Sequence, residues 1–273
     1  MGADIKALRN RIKSVDSTLH LTKAMGLVAS SKLRRAMEGM KNGREYERAI
    51  RGIIEPLISS PECKKSPYMR QVRTDGDGEK ERLCLVVIAG DRGLAGGYNA
   101  NIFRALRDLE VVNVIPIGKR ACERFKAQNM SSERIGYDEA LGIADELCRD
   151  FAEGKYDRVC ILCTKYVSMM SQEARLVQMF PLVSECETKA ASVVFEPDEK
   201  TVLDAVVPEY AAGMILSAAR EAFACEIAAR RNAMDSAGKN AQSMIDSLSL
   251  EYNRARQGAI TQEITEIVAG SGS

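Results

Sequence analysis

Proline is missing from the first 55 residues and from the last 65; all seven prolines lie between positions 56 and 208. Inside a helix, proline removes a backbone hydrogen bond and costs about 3 kcal/mol. The two ends are therefore the parts of this chain free to form long helices. Both carry the matching pattern. Ile5, Leu8, Ile12, Val15 and Leu19 step by three and four residues, the spacing of a coiled-coil seam. The register continues through Thr22, Gly26, Ala29, Leu33, Ala36 and Met40, where the seam residues become small. Near the other end Met234, Ala241, Leu248 and Ala255 recur every seven residues, joined by Ala237 and Met244 and followed by Ile260, Ile264 and Ile267. At a rise of about 1.5 Å per residue, such helices reach roughly 80 and 90 Å. Two long arms flanking one domain can pair antiparallel. Pro208 marks the expected start of the second arm, and Gly270 with Gly272 its end.

Between the arms, strand and helix signals alternate. Strands are expected at Leu83–Ala89, Val111–Ile117 and Arg158–Lys165, with further candidates at Arg175–Phe180 and Ser192–Phe195. Helices are expected at Ile102–Leu109, Lys119–Gln128 and Asp138–Ala152. This alternation predicts a mainly parallel sheet covered on both faces, a doubly wound, Rossmann-like α/β domain. The expected division is a coiled-coil helix at 1–58, a polar linker at 59–82, the α/β domain at 83–196 and a second coiled-coil helix at 208–273. The linker expectation rests on Pro61, Pro67 and Asp75-Gly-Asp-Gly78.

Composition narrows the class of protein. Hydrophobic residues make up 45% and charged residues 28%, so the chain is too apolar for disorder. The apolar run Leu83–Ala89 is far shorter than the roughly 18 residues of a membrane span. The charged start, Asp4-Ile-Lys-Ala-Leu-Arg9, lacks the features of a secretory signal or a transit peptide. Net charge is +1, yet residues 1–58 hold 12 Lys and Arg against 6 Asp and Glu. A basic arm on a near-neutral chain suggests an acidic partner.

The residues that usually carry chemistry are sparse. Eight cysteines are scattered, and the single histidine is His20. Cys160-Ile-Leu-Cys163 has no second pair or histidines to complete a zinc site. In a strand, the two sulfurs would also point to opposite faces, which predicts a structural role. Gly90-Asp-Arg-Gly-Leu-Ala-Gly-Gly97 follows a strand and precedes a helix, where phosphate loops sit. Its glycines do not make GxGxxG, and no Gly-Lys-Ser/Thr closes it as in a P-loop. A tight strand-to-helix turn is expected, with Asp91 and Arg92 as an ion pair. No nucleophile–base pair stands out, and no cofactor is expected.

Several blocks resemble one family. Ile12-Lys-Ser-Val15, Thr22-Lys-Ala-Met25 and Val28-Ala-Ser-Ser-Lys-Leu33 are similar to the first helix of the gamma subunit of F-type ATP synthases. Asp91-Arg-Gly-Leu-Ala-Gly-Gly-Tyr-Asn-Ala-Asn101 is similar to its central loop. Tyr252-Asn-Arg-Ala-Arg-Gln257 and Ala259-Ile-Thr-Gln-Glu-Ile-Thr-Glu-Ile-Val268 resemble its C-terminal signature. The chain departs from the family pattern at Ala95, often Cys, at Ser271, usually Ala, and at the more apolar Leu19-His20-Leu21. It also lacks the regulatory cysteine segment of chloroplast members.

The resemblance implies a non-catalytic rotor shaft coupling proton flow to ATP synthesis. The implied partners are an alpha3beta3 hexamer, the epsilon subunit and the membrane c-ring. The implied place is the cytoplasmic face of a bacterial membrane, as a peripheral protein. It also implies that Met25 meets a mobile acidic segment of beta. Arg254, Arg256, Gln257, Thr261 and Glu263 would contact the alpha/beta ring near the upper tip. Two other classes fit parts of the pattern. A nucleotide-dependent α/β enzyme with helical dimerisation arms would need a phosphate motif. A basic coiled-coil nucleic-acid binder would need stacking aromatics, and aromatics are only 5% of the chain.

Overall fold

In the computed structural model, residues 2–70, 81–184 and 193–271 are described; Asp75–Gly78, Cys186, Ser192 and Gly272 lie outside them. The chain forms two compact units, Met1–Ser30 with Arg230–Ser273, and Ser31–Ala229. Two long helices contribute to both: α1 (Gly2–Ser59) and α5 (Glu199–Ser271).

In the first unit α1 and α5 run antiparallel. A β-carbon built on Gly26 lies 3.7 Å from that of Met234, and one on Gly238 lies 3.6 Å from Thr22 Oγ1. Burial follows the three-and-four stepping: Leu19, Thr22 and Ala29 are buried, while Ile5, Leu8, Ile12 and Val15 are half-buried. On α5, Met234, Ala241 and Leu248 are buried at their seven-residue interval.

Two expectations for this seam fail. Met244 is 45% exposed, and Ile245 is the half-buried residue, because the helix steps by four rather than three beyond Ala241. Ile260, Ile264 and Ile267 are exposed rather than seam residues. The register explains why. The position numbers of facing residues total 260 in both glycine pairs, so Gly2, where α1 begins, falls opposite residue 258. The three exposed isoleucines all lie beyond that point.

The second unit is built on a sheet of β1 (Leu83–Ile88), β2 (Asn113–Ile117), β3 (Arg158–Tyr166) and β4 (Gln172–Phe180). The order is β2-β1-β3-β4; β2, β1 and β3 are parallel and β4 is antiparallel. β1 has no polar alternation because both its faces are covered. Leu83, Leu85 and Val87 pack with Ile102 of α2 (Tyr98–Arg107) and Ala121 of α3 (Lys119–Phe125). Cys84, Val86 and Ile88 join the larger core with Leu57 of α1, Phe151 of α4 (Tyr137–Ala152) and Ile215 of α5. The sheet is thus mainly parallel and wound on both faces, as the alternation predicts.

Within this unit the two long helices also pair antiparallel. A β-carbon on Gly43 would lie 3.3 Å from Ser217 Cα, and one on Gly213 would lie 2.6 Å from the Tyr46 ring. α5 starts nine residues before Pro208. Asp198 caps it, accepting from Thr201 N at 2.8 Å and Thr201 Oγ1 at 2.7 Å. Pro208 costs one hydrogen bond inside the helix, which surrounding packing offsets. An 18-residue window of α5 is apolar enough to cross a bilayer, but 61% of it is buried within the protein, as in a core helix.

The segment after α1 is packed rather than a solvated linker. Ser60, Cys63 and Ser66 are buried, and the Tyr68 ring lies 5.5 Å from Phe180. Residues 193–195 form no strand.

The seam should dominate the stability of the first unit. Leu19→Ala is expected to cost about 2–3 kcal/mol, because it removes a buried side chain. Ile264→Ala, at an exposed position, should cost less than about 0.5 kcal/mol. Urea unfolding of the two variants measures the difference, and equal losses would refute this seam assignment.

Candidate functional site

The glycine-rich loop is where sequence most suggests an anion site, and its geometry shows what the loop binds. The backbone N–H groups of Asp91 and Arg92 donate to the Glu226 carboxylate of α5 at 3.1 and 3.2 Å. Glu226 is buried. The N–H of Gly90 donates to Asn99 Oδ1 at 2.9 Å. A β-carbon at Gly90 would lie 2.9 Å from Glu226 Cδ, so glycine is needed for this approach. Tyr98 Oη donates to the Ala222 carbonyl at 2.9 Å, tying α2 to α5 as well. Donors that would cradle a phosphate in a nucleotide loop instead hold a carboxylate of the chain itself. The loop fastens α5 to the sheet.

Asp91 is not an ion-pair partner for Arg92, as sequence had suggested. Its carboxylate accepts from Ser131 Oγ at 2.6 Å and from the N–H groups of Lys119, Ser132 and Glu133 at 3.0 Å each. Lys119 is the first residue of α3, so the carboxylate serves a helix start and a turn together. Burial alone would raise the Asp91 pKa. The hydrogen bonds from Ser131, Glu133, Lys119 and Ser132 outweigh it and hold the carboxyl below its ordinary range. The local signal was Asp directly after a strand and Gly90, but its partners lie 28–42 residues away.

The cysteine pair behaves as strand geometry predicts. Cys160 packs on the α2–α3 side of the sheet and Cys163 on the other. Both are free and buried. Burial pushes the Cys160 thiol up to about 11 and the Cys163 thiol up to about 12.

The six residues that the resemblance marks for ring contact all lie in the first unit, at two separate places. Met25 is half-buried on α1, beside Gly26 in the seam. Arg254, Arg256, Gln257, Thr261 and Glu263 are exposed on α5. In the observed register Met25 faces the neighbourhood of residue 235, so about 30 Å of helix separates it from the tip group. Thr261 Oγ1 donates to the Gln257 backbone carbonyl at 2.9 Å. Sequence reasoning missed an apolar surface around Met25: Leu21, Leu27 and Val28 are exposed, Leu27 by 73%. The signal was present, since these large residues fall off the seam positions.

Two tests follow from this geometry. Asp91→Asn should destabilise the protein by about 1–3 kcal/mol at neutral pH, because an amide nitrogen then faces backbone donors. A depressed folded pKa contributes stability above the unfolded value of about 3.9, which is lost as pH falls through the folded value. The gap between variant and wild type should therefore close in acid, as urea titrations across pH would show. Native protein at mildly alkaline pH should leave Cys160 and Cys163 unalkylated, while unfolded protein is alkylated at both. Peptide mass spectrometry reads this, and native labelling at either would contradict the structural role.

A family model described as ATP synthase matches residues 4–273. The ATP synthase gamma chain of Ruminococcus albus is 37% identical, covering 98% of both chains. That of Paracoccus denitrificans is 36% identical, again over 98% of both. The fold is similar to a chain in the rotor of the Euglena gracilis mitochondrial ATP synthase, with TM-score 0.70 and 18% identity over 95% of this chain and 100% of that one. The family model and these relatives match almost the whole sequence, and the chain belongs to the ATP synthase gamma chain family.

Proposed function

We propose that this chain is the central rotor shaft of an F-type ATP synthase. It couples proton translocation in the membrane sector to ATP synthesis or hydrolysis at the beta subunits by turning within an alpha3beta3 hexamer. It carries no catalytic chemistry of its own, and the base of the assembly holds it through the epsilon subunit and the c-ring. Its place is peripheral, at the cytoplasmic face of a bacterial membrane. The observation that carries this reading is the first unit: two antiparallel arms joined by a narrow seam, ending in an α5 tip that α1 no longer covers. Family membership supplies the assembly in which such a shaft works.

The physical demand on a shaft is twofold. It must bias each beta site, and taking a two-state site from 1:99 to 99:1 needs about 5.5 kcal/mol of differential contact energy. It must also leave each contact as it turns. Met25 suits the second demand, because a flexible thioether packs without a fixed hydrogen bond. Arg254, Arg256, Gln257, Thr261 and Glu263 are solvent-facing and free to meet successive partners.

Met25→Lys tests the reading. A lysine facing the carboxylates of a beta segment would strengthen one rotational position by about 1.5–3 kcal/mol. If that contact is lost in the transition state, escape slows roughly 10- to 150-fold. The expected outcome is an assembled complex with impaired coupling and a steeper temperature dependence of turnover. ATP hydrolysis and proton pumping measured across temperatures give the answer. Wild-type coupling with an unchanged activation energy would return Met25 to plain packing.

A further inference from the structure

The second unit contains a cleft that neither the seam nor the loop accounts for. On α1, Glu47 and Arg48 each lie three or four residues from both Arg44 and Arg51, so the four share a face. On α5, Met214, Ala218 and Glu221 do the same. Cys163 and Lys165 lie on the side of β3 that these helices cover, and Arg175 of β4 stands opposite Cys163 in the ladder. Together these elements line an open cleft of about 450 Å³. That is within the range of roughly 300–1,000 Å³ typical of small-ligand sites.

The charges in this cleft do not balance. Five cations line it against two carboxylates, and both carboxylates are engaged. Glu221 accepts from Arg44 at 2.6 Å and from the Tyr166 N–H at 2.8 Å. Glu47 accepts from Ser217 Oγ at 2.7 Å and pairs with Arg51 at 3.7 Å. Among the described residues, the side chains of Arg48, Lys165 and Arg175 have neither a hydrogen bond nor an ion pair, and all three residues are exposed. Glu173 is the cross-strand neighbour of Lys165, but no ion pair joins them. Three cations without partners therefore converge on one cavity, although the whole chain carries a net charge of only +1. Beneath them, Ile161, Val177, Met214 and Ala218 make an apolar floor.

Convergent like charges repel, and the repulsion is relieved by one multivalent anion. Guanidinium groups present planar forks of N–H donors that match phosphate oxygens. Two arginines and a lysine around a cavity of this size fit an anion carrying three or four negative charges on adjacent phosphates. We propose that this cleft binds an oligophosphate, either free pyrophosphate or tripolyphosphate or the phosphate tail of a nucleotide. In the nucleotide case the apolar floor receives the base. The site is separate from the glycine-rich loop, whose donors are closed on Glu226, and it does not depend on the rotor reading.

Titration calorimetry on the full chain, in moderate salt with magnesium removed, tests this with pyrophosphate, tripolyphosphate and ATP as probes. One saturable site per chain is expected. Arg175→Gln and Lys165→Gln should each weaken it about tenfold, the loss of one charge-assisted contact. Arg107→Gln, an exposed cation on α2, should leave it unchanged. Equal affinity for ATP and tripolyphosphate would make the phosphate chain the whole ligand; tighter ATP binding would assign the floor to the base. No saturable binding of any probe, or weakening by Arg107→Gln as large as by Arg175→Gln, would overturn the proposal. The first result is also what a cleft reserved for an acidic protein segment would give.

Discussion

Where Gly26 faces Met234 and Thr22 faces Gly238, each pair contains a glycine, whose missing side chain lets the two helices approach closely. This contact sets the register of the first unit, and much else follows from it. It sets Gly2 opposite residue 258, and Ile260, Ile264 and Ile267 beyond it are exposed. It also makes the seam narrow. Leu19, Ala29, Met234, Ala241 and Leu248 are buried in it, while apolar neighbours off the seam such as Leu21, Leu27 and Leu250 stay exposed. A narrow seam between long helices is stable only if each residue in it keeps its place, since cavity costs are felt even at single methylene groups.

The second unit solves a different problem, which is to hold its own stretch of α5 against the sheet. Glu226 does this by accepting two backbone N–H groups from the glycine-rich loop, and Tyr98 adds a bond to the Ala222 carbonyl. Burying a carboxylate without partners is costly, so the loop and α5 each require the other. Arg44 and Glu221 add a charged contact between α1 and α5, and Glu221 also accepts from the β3 residue Tyr166. Helix, sheet and loop are thereby joined by polar bonds as well as by the apolar core.

The three-and-four stepping from Ile5 to Met40 was legible because seam burial depends only on local helical period. β1 was legible because an apolar run covered on both faces needs no partner to be recognised. The start of α5 was not, because Pro208 masked a helix whose true signal was Asp198 as a cap ten residues earlier. Met244 and Ile264 looked like seam residues, yet whether an apolar residue is covered depends on where the partner helix starts. Asp91 was read as a neighbour of Arg92 because its actual donors, at positions 119 and 131–133, are distant in sequence. The basic cleft was invisible for the same reason: its cations come from three separate elements. Met25 and the tip residues were named by resemblance; periodicity alone offers no reason to choose them.

In the first unit, the paired arms of α1 and α5 should turn together in the rotor without sliding past each other. The direct test is a covalent lock at the seam. Gly26→Cys with Met234→Cys places two β-carbons about 3.7 Å apart, close to the mean of roughly 3.8 Å in disulfides. Oxidation of the assembled complex carrying both substitutions should leave ATP-driven proton pumping unchanged. Loss of pumping on oxidation, restored by reductant, would show that the arms must move against each other and would contradict the account.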